Sequence, residues 1–179
     1  RGRVLEINDD RYTKRYGGDR VTKLDIVHPD KGNPQATIVA DLADAPQIPD
    51  DSFDCMICTQ TIMYIYDVHA AIRTMHRILA PGGVVFVTVP GVSRICQPED
   101  QIWGDFWRFT TKSISRLFED AFGGPDAVTV ATYGNVLTAA AQLYGIAAEE
   151  LTPEELDHRD PNFEVLLAVR AQKRPARAT

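Results

Sequence analysis

Three carboxylates stand where three runs rich in Val and Ile give out: Glu6 on Arg3–Ile7, Asp25 near the end of Arg20–Ile26, and Asp41 just after Ala36–Ala40. An ionised carboxylate only accepts hydrogen bonds. A series of them at successive strand ends therefore suits a ligand that offers hydroxyls, an exocyclic amine and a cationic group. One such acid alone reads as a solvated loop residue, whereas three in succession read as one edge of a cleft. A second group follows the later strands: Gln60 and Tyr64 after Phe53–Thr59, and Trp103, Asp105, Trp107 and Arg108 after Val84–Val89. Rings with polar tips at that position would wall a small-molecule pocket. Asp105 is the carboxylate of its segment flanked by aromatics, which makes it the candidate general base. The competing assignment has Trp107 and Phe109 filling the core and Arg108 paired with an acid such as Glu119.

Other reactive side chains carry less. Cys55 and Cys58 have the spacing of a metal or redox pair, but positions three apart on a strand point to opposite faces, so both are expected to pack. Cys96 is a candidate accessible thiol. His28 lies beyond the second strand, His69 and His76 share one exposed face of a helix, and His158 sits in a charged loop. No His or Cys pair shares a face with metal spacing beside a carboxylate, so metal-independent chemistry is expected.

The elements that must position these groups alternate between β and helical periods, the pattern of βαβ units and a parallel sheet. Strands are expected at Arg3–Ile7, Arg20–Ile26, Ala36–Ala40, Phe53–Thr59, Val84–Val89, Ala127–Thr132 and Phe163–Ala171. Val68, Ala71, Ile72, Met75 and Leu79 mark a crossover helix that Pro81-Gly82-Gly83 should stop. A second helix follows Thr110, a third spans Val136–Ala148, and Thr152-Pro153-Glu154-Glu155 forms a capping box. Ligands of an open parallel sheet bind outside the carboxyl ends of its strands, which places both residue groups on one edge. The 179 residues suit one domain, taken as residues 1–173 with a disordered tail at 174–179. Because it starts within a strand, the sequence is expected to be part of a longer chain, with an upstream helical segment lacking; homo-oligomers or a larger multidomain protein are compatible with it. With 19 Lys and Arg against 25 Asp and Glu, the net charge of −6 gives no basic footprint for nucleic acid. No apolar run approaches the ~20 residues that span a bilayer. Three cysteines do not make a disulfide framework, which points to the cytoplasm.

Taken in order, Val4-Leu5-Glu6-Ile7, Asp25, Ala40-Asp41-Leu42, Ile48-Pro49-Asp50-Asp51-Ser52-Phe53-Asp54 and Leu79-Ala80-Pro81-Gly82-Gly83 resemble the class I S-adenosylmethionine-dependent methyltransferases over roughly Arg3–Pro90. Trp107-Arg108-Phe109-Thr110 resembles the small-molecule branch of that family, of methyltransferase type 11. The resemblance implies an α/β, Rossmann-like, doubly wound sheet of seven strands, mostly parallel with the last antiparallel, and S-adenosyl-L-methionine as cofactor. By position, Glu6 would organise waters and the methionine ammonium group, and Asp25, with Ile26 beside it, would take the ribose hydroxyls. Asp41 would receive the adenine amine while the Leu42 amide meets a ring nitrogen. Thr59 and Gln60 would lie below the methionine and the transferred methyl, making Gln60 the second catalytic candidate after Asp105. Tyr64, Trp103, Trp107 and Arg108 would face the substrate. The family's glycine-rich first turn reads Ile7-Asn8-Asp9-Asp10-Arg11-Tyr12 here. Asn8 tolerates the left-handed conformation, so it would stand in for one glycine, with Tyr12 or Thr13 covering the cofactor. The implied activity is methyl transfer to oxygen or nitrogen of a small molecule such as a sugar or natural-product intermediate. The altered turn leaves a second reading open, a cofactor-free scaffold or partner-binding module. A nicotinamide-dependent oxidoreductase would need Gly-x-Gly-x-x-Gly, which is absent.

Overall fold

A computed structural model describes residues 2–175. Its strands are β1 (Gly2–Ile7), β2 (Val21–His28), β3 (Ile38–Val39), β4 (Phe53–Thr59), β5 (Leu79–Pro90), β6 (Val128–Tyr133) and β7 (Leu166–Gln172). They form one sheet in the order β3-β2-β1-β4-β5-β7-β6. The first five run parallel, and β7 enters antiparallel between β5 and β6. The helices are α1 (Arg11–Tyr16), α2 (Val68–Ile78), α3 (Gln97–Ile102), α4 (Thr111–Phe122), α5 (Val136–Tyr144) and α6 (Pro153–Asp157). The architecture is the Rossmann-like α/β fold expected. No helix among the described residues is long and apolar enough to cross a membrane.

The alternation of strand side chains decides what each face holds. Leu5, Ile7, Val27, Met56, Cys58, Val85, Val87, Val89, Leu167 and Val169 join the core, where Ile72, Met75, Ile114, Phe118 and Phe122 of α2 and α4 cover them. Asp67 caps α2 by accepting the Ala70 amide at 2.8 Å, and Thr110 and Ser113 form a reciprocal cap on α4. The opposite face presents Val4, Cys55, Ile57, Thr59, Phe86 and Thr88 to a cavity of about 700 Å³ beside α1. Cys55 and Cys58 thus part to opposite faces as expected, and burial pushes the Cys58 thiol up to about 12.

Several boundaries moved. β2 runs two residues past Ile26, β3 shrinks to two residues, and β5 begins at Leu79. Pro81-Gly82-Gly83 therefore lies inside a strand. Gly82 takes φ +83 there, and the Gly82 and Lys173 amides donate to the Lys173 and Gly83 carbonyls, a pairing the two glycines allow. Two short helices, α1 and α3, had no expectation. At the end of the domain the Lys173 ammonium donates to the Leu79 carbonyl at 2.7 Å, and Arg174, the first residue of the expected tail, donates to the Gly123 carbonyl at 2.6 Å. Residues 176–179 lie outside the described residues.

His76 also departs from expectation. His69 is exposed, but the His76 ring packs edge-on against Phe122 with centroids 4.9 Å apart. Burial first, then the Lys173 charge, lowers its pKa below the ordinary imidazole value. The unfolded chain therefore binds this proton more readily, and the stability His76 gives is present above about pH 6.5 and lost as pH falls through the depressed value. Melting temperatures of the wild type and His76→Gln at pH 7 and pH 5 test this. The wild type should lose more between the two pH values, and parallel losses would count against the assignment.

Candidate active site

At the end of β1, Glu6 is 2% exposed and faces α1. Its two carboxylate oxygens accept the amides of Tyr12 and Thr13, each at 2.8 Å. These are first-turn amides of α1, which have no intrahelical acceptor, and Asp10 at the N-cap supplies none from its side chain. The acid thus closes the first turn from within. Each of its oxygens is already engaged by backbone, so its expected part in organising the methionine ammonium would be played through the turn it holds. Asn8 does adopt the left-handed conformation, φ 73, while its amide donates to the Val27 carbonyl and its own carbonyl accepts from Asn33. The buried Thr13 hydroxyl has no partner among the described residues. Tyr12 stands between the open-face cavity and a second one at the strand ends.

Asp25 does not reach that edge. It lies opposite Leu5, one register step below Glu6, and β2 continues past it to His28. The residue is 8% exposed, and its carboxylate accepts from the Thr37 hydroxyl at 3.1 Å and pairs with Lys23 at 2.8 Å. The small pocket beside it, about 210 Å³, is lined among others by Arg3, Ser52 and Phe53, at strand starts. Ile26 is also interior, its amide donating to the Thr37 hydroxyl at 2.9 Å. The longer β2 is the physical cause of both corrections, and it leaves His28 and Asp30 at the tip. Asp41 fits its expected place better: it is exposed beyond β3, with Oδ1 accepting the Ala43 amide at 2.8 Å and Oδ2 unpartnered among the described residues. The Leu42 amide likewise has no acceptor among them.

Beyond β4 and β5 lies a cavity of about 540 Å³, within the range of small-ligand sites. Gln60, Met63, Tyr64, Arg94, Cys96 and Gln142 contribute to its wall. Thr59 points instead to the open sheet face. Gln60 takes φ 47, a strained position for a residue with a Cβ, and its side-chain amide donates to the Thr88 hydroxyl at 3.3 Å. The Tyr64 hydroxyl holds its proton more tightly than usual, through burial and then the nearby Cys96, Glu99 and Asp105.

Asp105 and Arg108 meet here, but as a clamp. Arg108 has five N–H donors. They go to the Ser93 carbonyl (3.4 Å), Asp105 Oδ1 (2.5 Å), the Trp107 carbonyl (2.9 Å), the Arg94 carbonyl (2.7 Å) and Asp105 Oδ2 (2.9 Å). None is left for a substrate. Asp105 Oδ2 also accepts the Cys96 amide, and hydrogen bonds from Arg108 hold the carboxyl below its ordinary range. A carboxylate so held is a poor proton acceptor, which corrects its assignment as general base. The alternative assignment for Arg108 was right in kind, an ion pair, though the acid is Asp105 and not Glu119. The Trp107 indole donates to the Ile65 carbonyl at 3.1 Å and packs on the core, with Phe109 buried within it. Trp103 is 37% exposed and does not line the cavity; its ring stands against His28 at the tip of β2. No group of three or more His, Cys, Asp or Glu side chains among the described residues could hold a metal ion.

Comparison with known proteins agrees with the fold. Residues 2–87 match a family model described as "Methyltransferase domain". No curated protein matches the chain in sequence. Among solved structures, a putative methyltransferase of Haloferax volcanii in complex with the Trm112 activator is 18% identical, with 99% of this chain and 84% of that one covered at a TM-score of 0.64. A possible histamine N-methyltransferase of Thermotoga maritima is 18% identical over 97% and 83% of the two chains, TM-score 0.61. A methyltransferase of Archaeoglobus fulgidus is 12% identical over 96% and 86%, TM-score 0.62. At such identities these structures are alike in fold. The matched methyltransferase domain takes in the strand-end acids and the altered first turn, and the chain has the Rossmann-like fold of S-adenosylmethionine-dependent methyltransferases.

Proposed function

We propose that this methyltransferase acts on a small molecule held in the cavity beyond β4 and β5, and that the atom methylated is nitrogen in preference to oxygen. The supporting observation is the character of that wall. Its one carboxylate is Asp105, already bound by Arg108, while Tyr64 and Cys96 both hold their protons more tightly than usual. A hydroxyl acceptor needs a base close to the attacking oxygen. An amine attacks with its lone pair and releases its proton afterwards, so this wall suits it better.

S-adenosylmethionine supplies an electrophilic methyl on a sulfonium. The chain's part is to orient it and the acceptor in line. The unpartnered Leu42 amide and Asp41 Oδ2 suit the edge of an adenine, which offers one ring acceptor and one amine donor. The left-handed Asn8 turn, fixed by Glu6 through α1, brings backbone close to the ligand without a glycine. Gln60 projects from the end of β4 between this turn and the acceptor cavity, where it positions the reacting atoms. We assign Asp41, Leu42, Asn8 and Tyr12 to the cofactor and Gln60 and Tyr64 to the acceptor.

Calorimetric titration with S-adenosylhomocysteine tests the cofactor half. Binding should appear in the wild type and weaken about tenfold or more in Asp41→Ala, the scale of one hydrogen bond to a charged group. Unchanged affinity in that variant would remove Asp41 from the site. The acceptor half is tested by incubating a panel of amines and matched alcohols with S-adenosylmethionine. Gain of one methyl by mass should occur among the amines, and methylation confined to alcohols would overturn the preference.

A further inference from the structure

The chain leaving β5 at Gly91 and re-entering α4 at Thr111 carries α3 and Trp103. In the sheet order, β5 is three strands from β2, about 14 Å at the usual spacing of neighbouring strands. Trp103 nevertheless meets His28, the last residue of β2, with ring centroids 5.7 Å apart and planes at 88°. The segment therefore crosses above the tips of β4 and β1, over Gln60 and the Asn8 turn. Its feet are fixed, because Arg108 and Asp105 tie Ser93, Arg94 and Cys96 to the start of α4. Its tip is tied mostly to itself. The Asp100 and Trp103 amides donate to the Cys96 and Glu99 carbonyls, the Asp105 amide donates to the Asp100 carboxylate, and Gly104 at φ +85 turns the chain back. Among the described residues, no hydrogen bond joins Gln97–Trp103 to the strands it crosses. The edge-on contact of Trp103 with His28 holds the tip down, while the His28 ring is oriented by accepting the Asp30 amide at Nδ1, 3.1 Å away.

We propose that α3 and Trp103 form a latch across the cofactor cleft with His28 as its catch, and that Trp103 covers the nucleoside of a bound S-adenosyl ligand and slows its release. This rests on the cleft being the cofactor site. It assigns Trp103 to the cofactor side, away from the acceptor group in which the sequence had placed it. A firmly footed segment with a weakly held aromatic tip can swing without unfolding the rest. An indole offers a nucleobase a flat apolar face, the usual way such rings are recognised.

The chain has two tryptophans, Trp103 and Trp107, so emission reports on the latch directly. Adding S-adenosylhomocysteine should change the emission of the wild type. Trp103→Phe, which keeps Trp107 and a ring at the tip, should lose that change while calorimetry still registers binding. In stopped flow, Trp103→Ala should release S-adenosylhomocysteine about tenfold faster, the factor that corresponds to roughly 1.4 kcal/mol. His28→Ala, which removes the catch alone, should shift the emission of the ligand-free protein. Heat of binding together with the same emission change in wild type and Trp103→Phe, or unchanged release from Trp103→Ala, would overturn the latch and leave the cofactor reading intact. Heat in Trp103→Ala but none in the wild type would show the latch closed in the free protein and support it. No heat in either would remove the cofactor reading and the latch with it.

Discussion

Arg108→Ala should destabilise the protein by about 3 kcal/mol, the scale of breaking a buried ion pair from one side. The Asp105 side chain is 2% exposed, and after the change it keeps only the Cys96 amide at 3.2 Å as partner. The Ser93, Arg94 and Trp107 carbonyls lose their donor at the same time. The loss should depend on pH in a stated direction. With Arg108 present, the Asp105 carboxyl is depressed, so its stabilisation is present above the unfolded carboxylate value of about 3.9 and fades as pH falls through the depressed one. Without Arg108, burial raises that carboxyl, and the variant loses stability as pH rises instead. The gap between the two proteins in urea melts should therefore widen from pH 3 to pH 6. Arg108→Ala/Asp105→Asn should recover part of the loss by removing the stranded charge. A gap under 1 kcal/mol at neutral pH, or one that narrows as pH rises, would mean that the clamp is a surface pair of little consequence.

The clamp also shows where the sequence was legible. Period-two alternation around Val4, Met56 and Val87 and period-3.6 spacing along α2 and α4 are local signals, and the alternation of strands and helices followed from them, whereas the antiparallel last strand was implied by the family resemblance. Elements without such signals were missed. α1 is six residues long and exists because Glu6 supplies acceptors from another strand, and α3 is held by Asp105 from beyond its own end. Neither contact has a sequence spacing that announces it. The extra length of β2 was hidden for a related reason. Thr37 pairs with Ile26 through both backbone and hydroxyl, drawing a polar loop alongside the strand and carrying pairing on to His28.

The site divides along the same line. Residues placed by the backbone stand where the sequence put them: Asn8 takes the left-handed turn, Asp41 and Leu42 follow β3, and Gln60 follows β4 in a strained conformation. Residues expected to offer a free side chain do not, because partners were invisible. Asp25 is held by Lys23 and Thr37, Arg108 and Asp105 by each other, and Trp107 by the Ile65 carbonyl. A charged residue in a cleft is as apt to build the cleft as to serve in it, and only a count of its donors and acceptors separates the two.

Glu6 carries that distinction into the cofactor site. Glu6→Ala should cost about 3 kcal/mol of stability, from two charge-assisted hydrogen bonds at roughly 1.5 kcal/mol each, because the Tyr12 and Thr13 amides would be left at a helix start with no acceptor. The favourable placement of a carboxylate at the positive end of α1 is lost as well. Glu6→Gln keeps one acceptor oxygen but turns an NH2 toward the second amide, so it should lose about half as much. If Glu6 acts through the turn, S-adenosylhomocysteine affinity should fall in step with the loosening of Asn8–Thr13, and hydrogen exchange at the Tyr12 and Thr13 amides should accelerate in both variants. If Glu6 instead contacts the ligand ammonium, affinity should drop in Glu6→Gln while those amides stay protected. Hydrogen exchange read beside calorimetry on the same two proteins decides between them: protected amides with lost affinity would return Glu6 to the ligand, and exposed amides would keep it as the acid that shapes the turn.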